Sequence, residues 1–502
     1  MSYSELLNLA APEAIVVIAA LVALVADLAF MRGVETRTRF ILGGLIAGVG
    51  CAAAIACLVV LQPHGNAMGG MLVADPLTGL VKIAILVLAI FTVLLSVESN
   101  FTQHVGEYLA LILFSAVGMM FLVSAEDILM IFVSLELTSL SLYVLTAFNK
   151  RNIKSAEAAL KYFLFGGMAA AFMLFGLSLL YGMSGATNLS QIAKGVGEKF
   201  VTTNHLDPLL IVAIVMTVIG FGFKVAAVPF HLWAPDTYEG APTPSAAFIA
   251  SGSKVASFFI AAKVMMLGFA GAEGSAAWRD YASGWMPAVA VGAALSMVLG
   301  NLAAIVQSGV KRLIAYSAIA HAGYMLLGVL AHSGQGIGAL IFYAVTYGLT
   351  TVGAFGVVSV VENALGDDKL STFAGLSRRA PVVSFCMMIF MLSLAGIPPL
   401  AGFFGKFYVF AAVVNTDPKS LGLLWLIILG IAMSAVSLYY YLQVLKRIYV
   451  VEATDGDKAT RIQVPWLTQL ALVVLALGVV LLGCFPGWLV GAIQNAVTAA
   501  GL

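Results

Sequence analysis

The chain contains fourteen apolar stretches, each long enough to cross a lipid bilayer as a helix. A helix needs roughly 20 apolar residues to span the hydrocarbon core, and it satisfies its own backbone groups where no water can. We therefore predict an all-α integral membrane protein, a single polytopic domain over residues 1–502, with 14 transmembrane helices. These spans, numbered 1 to 14, lie near residues 12–30, 39–61, 76–97, 108–123, 127–148, 157–181, 208–234, 242–268, 286–307, 311–331, 336–361, 381–412, 420–449 and 465–491.

The composition excludes several classes of soluble protein. Charged residues make up 10% of the chain and hydrophobic residues 62%, whereas a soluble domain has about 25% charged residues. A net charge of +1 argues against a nucleic-acid surface. The sequence has no Gly-rich phosphate loop, CxxC pair or HExxH motif, so we expect no cofactor or metal on this chain. The four cysteines lack metal-ligand spacing and are interpreted as packing residues.

Basic residues divide the connections between spans into two sides. One side holds 15 Lys and Arg: Arg32, Arg37, Arg39, Lys150, Arg151, Lys154, Lys311, Arg312, Lys369, Arg378, Arg379, Lys446, Arg447, Lys458 and Arg461. The other holds only Lys194, Lys199, Arg279 and Lys419. Positive loops stay in the cytoplasm, so both termini are predicted to face the periplasm. The absence of an Arg-rich amphipathic leader favours a bacterial inner (plasma) membrane.

Once the basic residues of the connections are set aside, six lysines remain inside the predicted spans: Lys82, Lys161, Lys224, Lys254, Lys263 and Lys406. Of the 24 acidic residues, only Glu136 lies near the middle of a span. Such a group costs at least about 2.5 kcal/mol at mid-membrane and normally faces the protein interior and a partner. Glu136, Lys224 and Lys254 lie too deep to reach the membrane surface, so they are candidates for function, with a structural ion pair as the alternative. Lys161 and Lys263 lie near enough to span ends to extend toward water, and Lys82 is ambiguous.

Two spans carry prolines near a lysine. In "GFGFKVAAVPFHLW" of span 7, Pro229 frees the carbonyl of Val225 beside Lys224, and "LAGIPPLAGFFGKFYVF" of span 12 repeats this construction before Lys406. Discontinuous helices mark ion sites in transporters. Because the two lie five spans apart, we predict two inverted five-helix repeats, spans 4–8 (residues 107–268) and 9–13 (286–449), after three first helices (1–106) and before a last helix (465–491). Two unrelated proline kinks are the alternative.

Two histidines are candidates for proton transfer. His321 lies mid-span in "KRLIAYSAIAHAGYMLLG", and His231 follows the first proline break. Neutral imidazole passes protons readily because its ordinary pKa is about 6.5. Hydrogen bonding within helix packing is an equally simple role for each.

Five stretches together resemble the antiporter-like membrane subunits of NADH-quinone oxidoreductase, respiratory complex I. They are "FVSLELTSLSLYVL", "KYFLFGGMAAAFMLFGLSLLYG", "GFGFKVAAVPFHLWAPDTYEGAPTPSAAFIASGSKVA", "QSGVKRLIAYSAIAHAGYMLLG" and "LAGIPPLAGFFGKFYVF". The resemblance implies functional residues on helices 5, 7, 8 and 12, here Glu136, Lys224, Lys254 and Lys406. Within the family, type M has a glutamate on helix 12, whereas this chain has Lys406, and type L has a long extra helix, whereas this chain stops at Leu502. Both features favour type N.

The resemblance implies a proton-translocating subunit of an NADH:quinone oxidoreductase. A Glu136–Lys224 ion pair would open, Lys224 would pass its proton to Lys254, and His321 would relay it to Lys406, with His231 and Lys161 as secondary members. FMN, iron–sulfur clusters and quinone are expected in partner subunits, and the partners are an antiporter-like neighbour, small helical subunits and the lipid bilayer. A subunit of a multisubunit cation/proton antiporter is the main alternative, and a membrane scaffold is a third.

Overall fold

Helices account for most of the chain. The computed structural model describes residues 3–202, 205–416, 421–452 and 461–501. The first-half helices are α1 Tyr3–Leu9, α2 Ala11–Phe30, α3 Thr36–Leu61, α4 Pro76–Ser96, α5 Val105–Ser124, α6 Ile128–Thr146, α7 Ile153–Ser184, α8 Leu189–Phe200, α9 Pro208–Val225, α10 Trp233–Gly240, α11 Thr243–Ala250 and α12 Gly252–Lys263. The second-half helices are α13 Trp285–Ile305, α14 Val310–Leu330, α15 Gly334–Leu365, α16 Leu376–Arg379, α17 Pro381–Ala395, α18 Ala401–Thr416, α19 Leu424–Tyr449, α20 Trp466–Cys484 and α21 Pro486–Ala499.

The remaining elements are short. Two 3₁₀ helices, Met68–Gly70 and Leu370–Phe373, and one π-helix, Val264–Gly268, accompany three two-stranded antiparallel hairpins. Their strands are β1 Gly65–Ala67 with β2 Leu72–Ala74, β3 Val201–Thr202 with β4 His205–Leu206, and β5 Ser275–Ala276 with β6 Tyr281–Ala282. All three hairpins join consecutive spans on the side away from the basic loops.

The prediction of an all-α membrane protein is confirmed. Within the described ranges, thirteen helical segments are long and apolar enough to cross a membrane. The predicted span 12 is formed by two shorter helices, α17 and α18. The last predicted span ends earlier than expected, because α20 stops at Cys484 and a separate helix, α21, begins at Pro486.

Both predicted breaks are present. Helix α9 ends at Val225, where Ala226 takes the left-handed conformation with φ 58°, and helix resumes only at Trp233. Helix α17 ends at Ala395, where Gly396 has φ 86°, and helix resumes at Ala401. Pro229 and Pro399 each follow a cis peptide bond. A third interruption, at Ser251 between α11 and α12, was not predicted from the sequence.

The span ends rich in basic residues meet at one face of the protein, here called the basic face. Lys154 Nζ lies 2.9 Å from Glu239 Oε1, and Arg312 Nη1 lies 2.9 Å from Glu239 Oε2. Lys311 Nζ lies 2.8 Å from Glu362 Oε1 at the end of α15. These contacts join loops that follow different spans, as the distribution of charge predicted. Lys419, Lys458 and the side chain of Lys199 lie outside the described residues.

The buried centre of the bundle consists of spans 8, 10 and 11. The central window of span 8 is 100% buried and those of spans 10 and 11 are 94% buried, against 33% for span 1 and 28% for span 2. The peripheral helices direct Val, Leu and Phe side chains outward, as lipid contact requires. The ionisable side chains of spans 8 and 10 are therefore held in the part of the molecule most shielded from lipid.

Candidate functional site

Glu136 and Lys224 do not form the ion pair expected from the sequence. No oxygen of Glu136 lies within 4.0 Å of Lys224 Nζ, and the buried Glu136 Oε1 has no hydrogen-bond partner among the described residues. Lys224 instead donates a short hydrogen bond to Ser139 Oγ. Ser139 lies one turn beyond Glu136 on α6, and this turn meets the end of α9. A hydroxyl therefore stands where a direct carboxylate contact was predicted.

At the broken end of α9, Lys224 bonds to a side chain of α6. The Val225 carbonyl, which Pro229 was predicted to free beside Lys224, is not its partner. A carbonyl near this helix end, that of Phe223, accepts from the Trp233 indole at 3.0 Å. The aromatic side chain that follows the break therefore satisfies part of the backbone of α9.

Lys254 lies deep in span 8, just after the interruption at Ser251. It is 1% exposed, and its Nζ donates to the carbonyl oxygen of Ala318 on α14 at 2.5 Å. The Tyr347 ring of α15 lies 5.7 Å from Nζ, within cation–π range. Lys254 thus joins spans 8, 10 and 11.

His321 lies one turn from Ala318 on α14 and connects three helices. Its Nδ1 shares a hydrogen bond of 2.7 Å with Tyr343 OH of α15, and its Nε2 shares one of 3.1 Å with Tyr441 OH of α19. Tyr441 OH also shares a short hydrogen bond with Ser317 Oγ. The imidazole is 2% exposed and both of its nitrogens are engaged, so it is held in one orientation.

Lys406 uses the second break in the way predicted. Its Nζ donates to the carbonyl oxygens of Leu394 at 3.1 Å and Ala395 at 3.0 Å, the last residues of α17, and to Ser434 Oγ at 2.9 Å. The Tyr324 ring lies 5.1 Å from Nζ. Tyr324 lies one turn from His321, and the two ring centroids are 5.8 Å apart. Lys406 therefore lies next to the histidine in the packing of the bundle.

These contacts form a nearly continuous polar row. Lys254, His321 and Lys406 follow one another through Ala318 and Tyr324 on α14, and Glu136, Ser139 and Lys224 form a second group. No described side chain bridges Lys224 and Lys254 by a hydrogen bond. Lys254 reaches the His321 helix through a backbone carbonyl, and Lys406 meets His321 through the Tyr324 ring. A proton therefore needs water or a side-chain movement at these steps as well as between Lys224 and Lys254.

The two secondary candidates, Lys161 and His231, lie outside the row. Lys161 Nζ lies 2.7 Å from both Glu157 Oε1 and Asp236 Oδ2, and its side chain is 40% exposed, so it belongs to the ion-pair network of the basic face. The His231 side chain is half-buried after the first break, and no hydrogen bond joins it to any of the row lysines. The structure brings neither residue to Lys254 or Lys406.

Two lysines prove to be more deeply paired than the sequence indicated. Lys263, expected to extend toward the surface, is 3% exposed, and its Nζ lies 2.9 Å from Glu126 Oε1. Lys82 Nζ lies 2.6 Å from Glu13 Oε1, with both side chains almost fully buried. These pairs brace helices of the bundle and make no contact with the row.

The hydroxyls of the row were missed. Four hydroxyl side chains contact a predicted functional side chain: Tyr343, Tyr441, Tyr324 and Ser139. Tyrosine and serine are common in membrane helices, so they do not stand out in the sequence as lysine does. The one available signal was spacing, because Tyr343 and Tyr347 lie four apart in span 11 and share a helix face.

The row contains amines, an imidazole, a carboxylate and hydroxyls, all of which exchange protons. Within the described ranges, no group of three or more His, Cys, Asp or Glu side chains is placed to hold a metal ion. Ionisable side chains beside broken helices at membrane depth are typical of proteins that carry ions or protons across a bilayer. The fold and the site together therefore define an ion-translocating membrane protein.

The chain belongs to the NADH:quinone oxidoreductase/Mrp antiporter transmembrane family, whose model matches residues 125–434. NADH-quinone oxidoreductase subunit N 2 of Acidobacterium capsulatum is 50% identical over 498 residues, 97% of this chain and 98% of that protein. A chain of respiratory complex I from Thermus thermophilus with bound aureothin has a TM-score of 0.75 and 32% identity, covering 96% of this chain and 99% of that one. The predicted resemblance to type N complex I subunits is confirmed.

A chain of the Mrp complex from Dietzia sp. DQ12-45-1b has a TM-score of 0.82 at 18% identity, covering 98% of this chain and 97% of that one. This likeness shows a shared fold and leaves the transported ion open.

Proposed function

We propose that this chain is a proton-translocating, antiporter-like subunit of an NADH-quinone oxidoreductase in a bacterial inner membrane. The observation that carries the proposal is the buried contact series Lys254, Ala318, His321, Tyr324 and Lys406. Other membrane subunits of the same complex, an antiporter-like neighbour and small helical subunits, are its partners. Electrons travel through FMN, iron–sulfur clusters and quinone in other, cofactor-bearing subunits of the complex, and this chain moves only protons.

The proposed topology places the basic face in the cytoplasm and both termini in the periplasm, because positive loops are retained inside. Spans 4–8 and 9–13 then form two inverted repeats. The similar design of the two breaks, each with a left-handed residue at a helix end and a nearby lysine, supports this division. Protons enter toward Lys254 and leave toward the periplasm near Lys406.

The proposed cycle turns on the separation of Glu136 and Lys224. When Glu136 approaches Lys224, its charge holds a proton on the amine; when Ser139 is the partner, as here, that support weakens. The proton crosses to Lys254 through water. His321 then gains a proton at one ring nitrogen and releases one from the other, through the hydroxyls of Tyr343 and Tyr441 and through water, toward Lys406. Moving one charge against 100 mV requires about 2.3 kcal/mol, which is within reach of one ion pair forming or opening.

The test is NADH-driven proton pumping in vesicles that contain the whole complex, with assembly checked on a native gel. His321→Ala and Lys224→Ala are expected to lower pumping by at least tenfold, because each interrupts the row. Lys446→Ala, which removes an exposed lysine at the end of α19, serves as the matched control. Normal pumping by assembled Lys224→Ala and His321→Ala complexes would refute the relay. Cation exchange driven by a gradient, without NADH, would instead support the antiporter alternative.

A further inference from the structure

A polar cavity of about 260 Å³ lies at the basic face, where four spans end. Its walls include Asn149 and Asn152 after α6, Thr243 at the start of α11, Lys311 at the start of α14 and Glu362 near the end of α15. Amide, hydroxyl and charged groups dominate this lining, so the cavity suits water. None of these side chains belongs to the row described above.

Glu362 connects the cavity to the buried interior. Its side chain is 35% exposed, and it accepts a hydrogen bond from Lys311 Nζ at 2.8 Å and a short one from Thr243 Oγ1. The backbone nitrogen of Lys311 donates to Asp368 Oδ2 at 3.0 Å. Lys311 and Asp368 are thus the charged groups that surround Glu362, with Glu239 beyond them. The carboxylate lines the cavity on one side and meets a buried hydroxyl at the head of span 8 on the other.

Polar positions lead inward from Glu362 along one face of α15. Counting back along the chain from Glu362, the helix carries Ser359 three residues earlier, Thr351 eight residues before that and Tyr347 a further four residues before. These spacings keep the side chains on a single helix face. The Tyr347 ring contacts Lys254 at 5.7 Å. Between Ser359 and Thr351 the same face carries Phe355, whose ring packs edge-to-face on Tyr238 with centroids 5.9 Å apart. The face therefore runs from the cavity to Lys254 with one apolar narrow point.

The buried hydroxyls near that narrow point lack well-formed hydrogen-bond partners in the described protein. Tyr347 OH, Thr351 Oγ1 and Tyr238 OH are buried, and none makes a well-formed hydrogen bond to the described protein. Buried polar groups are nearly always bonded, either to protein or to ordered water. Three such hydroxyls, one of them on the tyrosine whose ring contacts Lys254, supply polar groups for water molecules.

We propose that Glu362 takes up protons from the cytoplasm and that they reach Lys254 along Ser359, Thr351 and Tyr347. This inference rests on the proposed function and specifies its loading side. Water gives a proton to a Glu362 carboxylate oxygen, and successive O–H bonds break and form until the amine of Lys254 gains an N–H bond. The Lys311 ammonium group holds the Glu362 charge in place between transfers. Movement of Phe355 opens the narrow point.

The first experiment compares Glu362→Gln with Asp367→Asn in vesicles of the whole complex. Asp367 is an exposed carboxylate in the loop after α15, paired with Lys369 at 2.7 Å, and makes no contact with the row. We expect Glu362→Gln to lower NADH-driven pumping at least fivefold at pH 8 but less than twofold at pH 6, where proton supply no longer limits loading. Glu362→Asp should restore at least half of the rate, and Asp367→Asn should match wild type.

The outcomes separate this inference from the relay. If Lys224→Ala abolishes pumping while Glu362→Gln equals the control at both pH values, the uptake route is wrong and the relay stands. A loss in Glu362→Gln that is equal at pH 6 and pH 8 indicates a structural role and also overturns the route.

A second measurement covers the case in which Glu362→Gln does not assemble. Thr351→Cys and Ser115→Cys are made in a chain whose four native cysteines are replaced, and a water-soluble thiol reagent is added to everted vesicles. Thr351 lies beyond Phe355, and Ser115 is an equally buried serine on α5, away from the cavity. Modification of Thr351→Cys at least tenfold faster than Ser115→Cys supports the route. Equal rates contradict it.

Discussion

Six lysines remain inside the predicted spans once the basic residues of the connections are set aside: Lys82, Lys161, Lys224, Lys254, Lys263 and Lys406. They differ in what their amino groups touch. Lys82 and Lys263 each meet a carboxylate in a closed pair, whereas Lys161 shares two partly exposed acids. Lys254 and Lys406 bond to backbone carbonyls, which cannot accept a proton and cannot neutralise an ammonium group. A lysine with only neutral partners can lose and regain its proton at low cost, so these two are suited to transfer and the paired ones to structure.

The Glu13–Lys82 pair yields a stability prediction. Lys82→Ala leaves a buried carboxylate without its counter-ion, and we expect the free energy of unfolding to fall by about 3–5 kcal/mol. The double substitution Glu13→Gln with Lys82→Met removes both charges and should recover most of that loss. Thermal unfolding of the purified complex measures the effect, with Lys446→Ala as the control. A Lys82→Ala protein as stable as that control would contradict a structural role for the pair.

Three of the candidate lysines lie next to helix interruptions. Lys254 lies three residues after the break at Ser251. Lys224 lies two residues before Ala226, where α9 ends, and Lys406 lies five residues after Ala401, where α18 begins. Each break releases backbone groups from the helix, and in span 12 these groups bind the lysine directly. Irregular backbone is tolerated at membrane depth only inside the protein. This explains why breaks occur in spans that contact the core.

Close packing of α13 on α14 holds the His321 helix in place. A Cβ added at Gly300 would lie 2.5 Å from the backbone nitrogen of Ala320, so no side chain fits without moving a helix. We expect Gly300→Ala to lower the free energy of unfolding by about 1–3 kcal/mol and to reduce pumping by shifting His321. Gly478→Ala on α20, where nothing lies within 4 Å, should leave both unchanged. Equal melting temperatures for the two variants would show that α14 has room to move.

An ion-pair network joins the two halves of the molecule at the basic face. Asp236 on α10 bonds to Lys161 Nζ at 2.7 Å and to Arg312 Nη1 at 2.8 Å, and Glu239 bonds to Arg312 and Lys154. Arg312 begins α14, in the second half, whereas α7 and α10 lie in the first. The segment after the first break is thereby tied to the helix that carries His321.

The network predicts a pH dependence of stability. Burial would raise the pKa of Asp236, but hydrogen bonds from Lys161 and Arg312 outweigh it, so the pKa lies below its ordinary value. A carboxyl with a lowered pKa stabilises the fold above its unfolded pKa and loses that contribution as the pH falls through the folded value. Asp236→Asn should therefore lower the free energy of unfolding by about 1 kcal/mol at pH 7, and the difference should shrink only as the pH falls below about 4, toward the lowered pKa of Asp236. Melting curves from pH 3 to 8 measure this, and exposed Asp280→Asn is the control. If the stabilities of wild type and Asp236→Asn converged at high pH instead, this prediction would be wrong.

Hydropathy and proline placement were enough to predict the membrane class and both proline breaks. These properties depend on residues close together in the chain: a run of apolar side chains must lie in lipid, and Pro229 or Pro399 disrupts its own helix wherever that helix packs. The same local logic singled out Glu136, Lys224, Lys254 and Lys406, because a charge inside an apolar run is conspicuous.

Only the tertiary structure decided what each charge touches. Lys224 meets Ser139, 85 residues away, and Lys254 meets Ala318, 64 residues away, so these partners depend on which helices pack together and at what depth. The same packing separates Glu136 from Lys224, closes Lys263 against Glu126 and brings three tyrosines to His321 and Lys406. Local pattern determines where a helix runs in a membrane, but the rotation and register of its neighbours determine which side chains can exchange a proton.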